Sequence, residues 1–294
     1  MEYTEQAVVF NCDESRLVGI VTLPETPAET GVVIVVGGPQ YRAGSHRQFT
    51  LLARHLAKQG IASMRFDYRG MGDSEGEMRN FELIDDDIRA AIDTLLRHIP
   101  EVHRVVLWGL CDAASASLFY AYTDTRVGGL VLLNPWVHTE TGASRARIKH
   151  YYLSRLLQRS FWMKLISGGV KLGSSIGDLA KSAQNVVSGA DKTAGISANA
   201  MHGSSGYIRK MLEGMEHFKG EVMIILSGND LVAQEFEYLV SHESQWKKTF
   251  NSSSVIKNKL IGASHTFSSQ VWRRQVEQWT IELIHKLQKD SPGG

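Results

Sequence analysis

The chain has 294 residues, 43% of them hydrophobic, with a mean hydropathy of −0.16, enough apolar material for one large domain or two small ones. Its 32 Lys and Arg balance 31 Asp and Glu, which excludes a global field for nucleic acid, and no apolar run approaches the roughly 20 residues of a membrane span. The acidic start Met-Glu-Tyr-Thr-Glu-Gln does not read as a signal or transit peptide, and two cysteines, Cys12 and Cys111, do not make a disulfide framework, which together imply a reducing cytoplasm.

In chain order, Ala7–Cys12 and Arg16–Leu23 read as an antiparallel pair of strands. Val32–Val36, Ser63–Phe66, Val105–Trp108, Gly129–Leu133 and Val222–Leu226 follow, with Ser254–Ile261 as the last strand. The five from Val32 to Leu226 are short and rich in Val, Ile and Leu without alternation, as in strands covered on both faces. Helical periodicity fills the intervals: Phe49–Gln59, Phe81–Leu96, Cys111–Tyr122 and Arg273–Leu287. This alternation predicts a mainly parallel, doubly wound sheet, and no 20-to-50-residue repeat interrupts it.

The rhythm breaks near Trp136. Tyr151–Ile166 is apolar with helical spacing, and Gly168–Gly206 is rich in Gly, Ser and Ala. The expected organisation is a core of 1–135 and 219–294 with an inserted, largely helical cap over 136–218. Residues 138–218 hold 11 Lys and Arg against 5 Asp and Glu. Two readings of that charge stay open: a solvated helix surface, or a lid that attracts an anionic substrate such as one bearing phosphates.

The residues able to do chemistry lie where strands end. Gly109-Leu110-Cys111-Asp112-Ala113 has the form of a nucleophile elbow, with cysteine in place of serine and alanine in place of the last glycine. Small residues are needed there because the turn is strained and the next helix lies close to the strand; Ala113-Ala114-Ser115-Ala116-Ser117 supplies them. A thiol needs a nearby base, and of the 11 histidines His265 stands apart, in the loop after the last strand and before the last helix. Asp230, after Val222–Leu226, can orient the imidazole; taken alone it reads as a turn or N-cap residue. Asn134 sits at an alternative acid position but carries no charge. The oxyanion hole is expected from the Asp112 N–H and from the loop Gly37-Gly38-Pro39-Gln40. Proline has no N–H, which leaves Gln40 first and Gly38 beside it. Arg42, His46 and Trp136 are candidate substrate contacts. Gly70-Met71-Gly72-Asp73-Ser74-Glu75-Gly76 lacks dinucleotide spacing, Gly168–Ser175 lacks a P-loop ending, and no His/Cys cluster has zinc spacing, so neither cofactor nor metal is expected.

Val32–Val36-Gly-Gly-Pro, Phe66-Asp-Tyr-Arg-Gly-Met-Gly-Asp-Ser74, Trp108-Gly-Leu-Cys-Asp, Ser227-Gly-Asn-Asp230 and Ser264-His265 are similar, in order and spacing, to the α/β-hydrolase superfamily. Gly-Leu-Cys-Asp-Ala-Ala-Ser-Ala more narrowly resembles the exosortase A system-associated hydrolases of bacteria. The cysteine elbow also resembles dienelactone hydrolase and the bile acid-CoA acyltransferases. These resemblances imply an eight-stranded α/β-hydrolase core and a Cys111–His265–Asp230 triad. The His-Gly that usually opens the oxyanion loop is Gly37-Gly38 here, which leaves that loop's geometry open.

The expected activity is acyl transfer or hydrolysis of an ester or thioester through an acyl-cysteine. A small acyl substrate, CoA- or carrier-protein-bound among the options, would suit the basic cap. Carboxylester or lactone hydrolysis and a non-catalytic binding role are the alternatives, in a monomer or homodimer. A helix N-terminus and a histidine favour a resting thiolate–imidazolium pair, which Asp112 opposes if its carboxylate turns inward.

Overall fold

The computed structural model describes residues 1–38, 40–137 and 197–289, with the backbone alone over 197–205. Contacts divide the chain into two compact units, Met1–Val137 with Ile208–Gly294, and His138–Tyr207. The expected cap over 136–218, including the helix over 151–166, falls largely on 138–196, outside the described residues. From the second unit the structure describes only the start of a helix that begins at Ser197.

The first unit is built on one eight-stranded sheet. Its strands are β1 (Tyr3–Cys12), β2 (Ser15–Pro24), β3 (Thr30–Val35), β4 (Ser63–Phe66), β5 (Arg104–Leu110), β6 (Val127–Leu133), β7 (Glu221–Ser227) and β8 (Val255–Leu260). Their spatial order is β1-β2-β4-β3-β5-β6-β7-β8. β2 is antiparallel to both β1 and β4, and every pair from β4 onward is parallel. The helices are α1 (Gln48–Lys58), α2 (Asp85–His98), α3 (Asp112–Ala121), α4 (Ser197–His217), α5 (Leu231–His242), α6 (Ser244–Phe250) and α7 (Gln270–Lys289).

The apolar runs sit where their composition requires. β3 and β4 are buried at every position, β5 at every position after Arg104. Val32, Ile34, Val106, Val131 and Ile225 are sealed from solvent in the core that α1 and α7 cover. Each such side chain contributes about 1.5–3 kcal/mol relative to an exposed one. β8 is the exception: a sheet edge with alternating burial and Lys257 and Lys259 along it, charges that discourage pairing with another chain.

One helix differs from its expected form. Phe81–Leu96 is not continuous: a short 3-10 turn, Phe81–Leu83, precedes Ile84 at φ −110° and ψ 16°, and α2 starts afresh at Asp85. Asp85, Asp86 and Asp87 occupy its first turn, where the helix dipole favours anions. Asp87 is fully buried and accepts hydrogen bonds from the Arg69 backbone (2.8 Å) and guanidinium, which fixes that start against the turn after β4.

Candidate active site

The carboxyl ends of the six parallel strands, β3 to β8, lie at one end of the sheet, and the loops there carry the candidate residues. β5 runs straight into the elbow. Cys111 stands at φ 64° and ψ −125°, a conformation costing a non-glycine residue about 1–3 kcal/mol. Four backbone hydrogen bonds hold it there. Its N–H donates to the Leu133 carbonyl at 2.9 Å, and its carbonyl accepts from the N–H groups of Ala114, Ser115 and Trp136 at 3.0, 3.3 and 3.3 Å. Gly109 is required just before the turn, because a Cβ there would lie 2.6 Å from the Ala113 carbonyl oxygen.

Asp230 and His265 come together as expected. His265 Nδ1 and Asp230 Oδ2 are 2.8 Å apart, which leaves Nε2 for the substrate side. Asp230 is also an N-cap: its carboxylate accepts from the Val232 and Ala233 N–H groups at 3.4 and 3.3 Å at the start of α5. Gly228 lets the two loops touch, since a Cβ there would lie 2.1 Å from the Ile261 carbonyl oxygen. Asn134, at φ 44° and fully buried, ties them further. Its Nδ2 donates to the His265 carbonyl at 3.0 Å, and its Oδ1 accepts from the Ser227 N–H at 2.9 Å. The position that could have held an acid holds instead a neutral brace, using both halves of its amide.

The oxyanion loop differs from the sequence expectation in its contacts. The Gly38 N–H donates to Asp112 Oδ2 at 2.9 Å, so it is already engaged. The same carboxylate accepts from the Ala113 N–H at 2.9 Å. Gly37 is glycine because of it: a Cβ would lie 2.3 Å from Asp112 Oδ1. The Gln40 N–H makes no hydrogen bond among the described residues, and the Gln40 side chain accepts from the Ser45 N–H at 3.2 Å. Of the two expected donors, the Gly38 N–H is therefore engaged by Asp112, while the Gln40 N–H has no partner among the described residues.

The proposed substrate contacts separate. Arg42 is committed elsewhere: its guanidinium pairs with the fully buried Asp67 and, at 2.6 Å, with Asp73, which clamps the oxyanion loop to the turn after β4. Asp67 also accepts from the Arg42 N–H (2.6 Å) and the Asp73 N–H (3.1 Å). Gly72 accommodates this hub, as a Cβ there would lie 2.2 Å from Asp67 Oδ2. His46 is exposed at φ 52° and makes no hydrogen bond to the triad residues. Trp136 is half-buried beside the elbow, where its carbonyl accepts from Ser115 Oγ at 2.9 Å. The Asp67 hub escaped sequence reading, although Phe-Asp-Tyr-Arg-Gly-Met-Gly-Asp-Ser contains every residue of it except Arg42.

The electrostatics follow from burial. Burial and then the Asp112 charge push the Cys111 thiol up to about 12, against a helping N–H from the Asp112 backbone. Asp112 is itself raised by burial, against N–H donation from Gly38, Ala113 and its own backbone. Tyr68 is pushed up to about 12 by burial, with the Asp112 charge adding to it. Among the described residues no cluster of three His, Cys, Asp or Glu side chains is placed to hold a metal ion, and no helix is long and apolar enough to cross a membrane.

A strained elbow after a central parallel strand, with an acid–histidine pair on the following loops, is α/β-hydrolase architecture. The family model described as "Serine aminopeptidase, S33" matches residues 27–252. The chain belongs to this α/β-hydrolase family. Within the S33 family's architecture, cysteine stands here at the elbow. Part of the chain is similar to the quorum-quenching protein AidA of Acinetobacter baumannii, 28% identical over 137 residues. That segment covers 44% of this chain and 43% of AidA, so the match spans less than half of either protein. The fold is similar to an esterase of Pyrococcus furiosus (TM-score 0.64, 14% identity, 97% of this chain and 92% of that one). It is also similar to dienelactone hydrolase of Anabaena variabilis (0.60, 15%, 97% and 99%). Proline iminopeptidase of Mycobacterium smegmatis gives 0.63 at 11% identity, over 98% and 100%.

Proposed function

We propose that this S33-family hydrolase cleaves an ester or thioester through an acyl-cysteine on Cys111. What supports this reading is a strained Cys111 at the end of β5 together with the 2.8 Å Asp230–His265 pair on the loops after β7 and β8, at the same end of the sheet. His265 Nε2 takes the proton from Sγ as the sulfur attacks the carbonyl carbon, and the carbonyl oxygen becomes an anion facing the N–H groups of Asp112 and Gln40. Collapse expels the leaving group, which receives that proton. Water then attacks the acyl carbon and gives a proton to His265, and the departing sulfur takes it back. Asp230 holds the tautomer and balances the transient imidazolium.

An amine, alcohol or thiol in place of water would make the same site an acyltransferase. The excess of positive charge over 138–218 supports a donor bearing phosphates, such as acyl-CoA or an acylated carrier protein. A lactone is a cyclic ester open to the same chemistry, and the resemblance to a dienelactone hydrolase supports it as the second reading.

The test is a substrate panel of p-nitrophenyl esters, lactones and acyl thioesters with wild type and Cys111→Ala, alongside intact-mass spectrometry. The expected result is hydrolysis that Cys111→Ala abolishes and an acyl adduct on Cys111 in trapped wild type. Ester turnover that survives in Cys111→Ala overturns the reading. No turnover on any class and no adduct would favour a binding protein.

A further inference from the structure

The carboxylate of Asp112, beside the nucleophile, is a feature of the site that the acyl-cysteine scheme does not use. It lies on the residue after the nucleophile, its two oxygens taken by the N–H groups of Gly38 and Ala113 at 2.9 Å each. Those N–H bonds favour its ionised form, against burial, which on balance raises the group. The cations one would look for are absent or spent: among the described residues no Lys or Arg pairs with Asp112, and Arg42 in the same loop is bound by Asp67 and Asp73. Among the described residues, the groups facing this corner come from several elements. Tyr68 comes from the loop after β4, Asp230 from that after β7, and His265 from that after β8. From β6 come Asn134 and the Trp136 backbone, both uncharged. Beside Cys111, the only one of these that can carry positive charge is His265.

We propose that Asp112 is the positioning residue of this site, tying the oxyanion loop to the elbow and placing a buried negative charge beside the sulfur, so that Cys111 rests as a neutral thiol rather than as a thiolate–imidazolium pair. This rests on the reading of Cys111 as nucleophile. Two consequences follow from the geometry. The bond to Gly38 removes that N–H from the oxyanion hole and fixes the backbone from which the Gln40 N–H projects. The neutral sulfur resists adventitious alkylation and oxidation, because the thiolate is the reactive form. It parts with its proton only when a bound acyl group lets attack and transfer to His265 proceed together. Burial and the Asp112 charge both act in this direction on the thiol.

The experiment is the pH profile of iodoacetamide alkylation, read peptide by peptide by mass spectrometry, with Cys12 as internal reference. In wild type, Cys111 alkylation should climb with pH and show no plateau below about pH 9.5, a unit above an ordinary thiol. In Asp112→Asn the inflection should fall by at least one unit, with labelling at pH 7 about tenfold faster. Ester hydrolysis by that variant should fall in kcat more than it changes KM, because the oxyanion loop loses a tie. A wild-type inflection near pH 7 or below overturns the proposal without any variant, which guards against Asp112→Asn failing to fold. An unmoved inflection in a folded Asp112→Asn overturns it as well. Failure of the underlying reading looks different: ester turnover that persists in Cys111→Ala, whatever the alkylation profile.

Discussion

The two cysteines share a chemistry and differ in everything around it. Cys12 ends β1, is nearly sealed from solvent, and is pushed up to about 11 by burial and then by Asp87, with Arg69 opposing. Cys111 is pushed up to about 12 by burial and Asp112. Acidity therefore does not distinguish the structural thiol from the proposed nucleophile. Position does. Cys12 lies in regular strand pairing at a hairpin, faced by Asp13, Asp86, Asp87 and Arg69, whereas Cys111 stands at positive φ after β5, at the end of the sheet where the loops after β7 and β8 carry the Asp230–His265 pair. A thiol with no neighbouring base is inert; one with a base at hand needs no lowered pKa, and its greater basicity makes it the stronger nucleophile once deprotonated.

The widest gap between the two should open on substitution. Cys111→Ala is expected to cost about 10⁵ or more in kcat on a p-nitrophenyl ester, the scale of losing a triad nucleophile. Cys12→Ala should leave kcat within about twofold and cost about 1–2 kcal/mol of stability for the vacated volume. Comparable activity losses in two folded variants would erase the distinction. Asp230→Asn comes next, at about 10³–10⁴ in kcat, because an amide favours the wrong imidazole tautomer. Its stability should fall only slightly, since asparagine still caps α5. A loss under tenfold would remove Asp230 from its role and send attention back to Asn134.

A smaller effect tests the contact between elbow and oxyanion loop. In Gly37→Ala the new Cβ would stand 2.3 Å from Asp112 Oδ1 and 2.7 Å from the Leu110 carbonyl oxygen, so the loop must shift. One displaced oxyanion donor corresponds to about 10²-fold in kcat. The fold should survive, because β3 is held by β4 and β5 on its two sides. Unchanged kcat in a folded Gly37→Ala would mean that the loop supplies no donor.

Composition and periodicity carried the sheet far. All five buried runs and the leading hairpin lie within the observed strands or within a residue of them, because burial on both faces leaves an unmistakable apolar signature. The pairing of Asp230 with His265 was legible for a related reason: strand ends in a parallel sheet must converge, and few residues there can do chemistry. Contacts between loops were not legible. Nothing in Gly-Gly-Pro-Gln shows that Gly38 gives its N–H to Asp112, and nothing near Arg42 shows that Asp67, 25 residues on, takes its charge. Such partners are chosen by three-dimensional closure, and one guanidinium suits a substrate or a buried carboxylate equally well. The break at Ile84 escaped for a third reason. Apolar spacing runs unbroken across it, while the three aspartates that restart α2 are a charge signal rather than a periodic one.

The smallest effect sets two carboxylates against each other. Asp112 is held chiefly by N–H groups, while Asp124 is held by a cation: it accepts from Arg126 Nη2 at 2.7 Å, Arg126 Nε at 2.9 Å and Tyr120 Oη at 2.5 Å. Burial raises Asp124, but the hydrogen bonds from Arg126 and Tyr120 outweigh it and bring it down to about 2. A depressed folded value means stability that is present above the unfolded value of 3.8 and is lost as pH falls through about 2. Asp124→Asn should therefore cost about 1 kcal/mol at pH 7, after allowance for solvent screening of a partly open pair, and close on wild type near pH 2. Asp112 carries the opposite sign. Its folded value is raised by burial, so its contribution is present below the unfolded 3.8 and is lost as pH rises beyond it. Relative to wild type, Asp124→Asn should thus lose stability as pH rises from about 2 to about 4 and hold a constant deficit above that, whereas Asp112→Asn should gain stability as pH rises above 3.8. Urea denaturation of both variants from about pH 2 to pH 7 decides the matter: an Asp112→Asn that loses stability relative to wild type as pH rises, as Asp124→Asn does below about pH 4, would mean that Asp112 has a cationic partner after all, and with it that the sulfur beside it need not rest neutral.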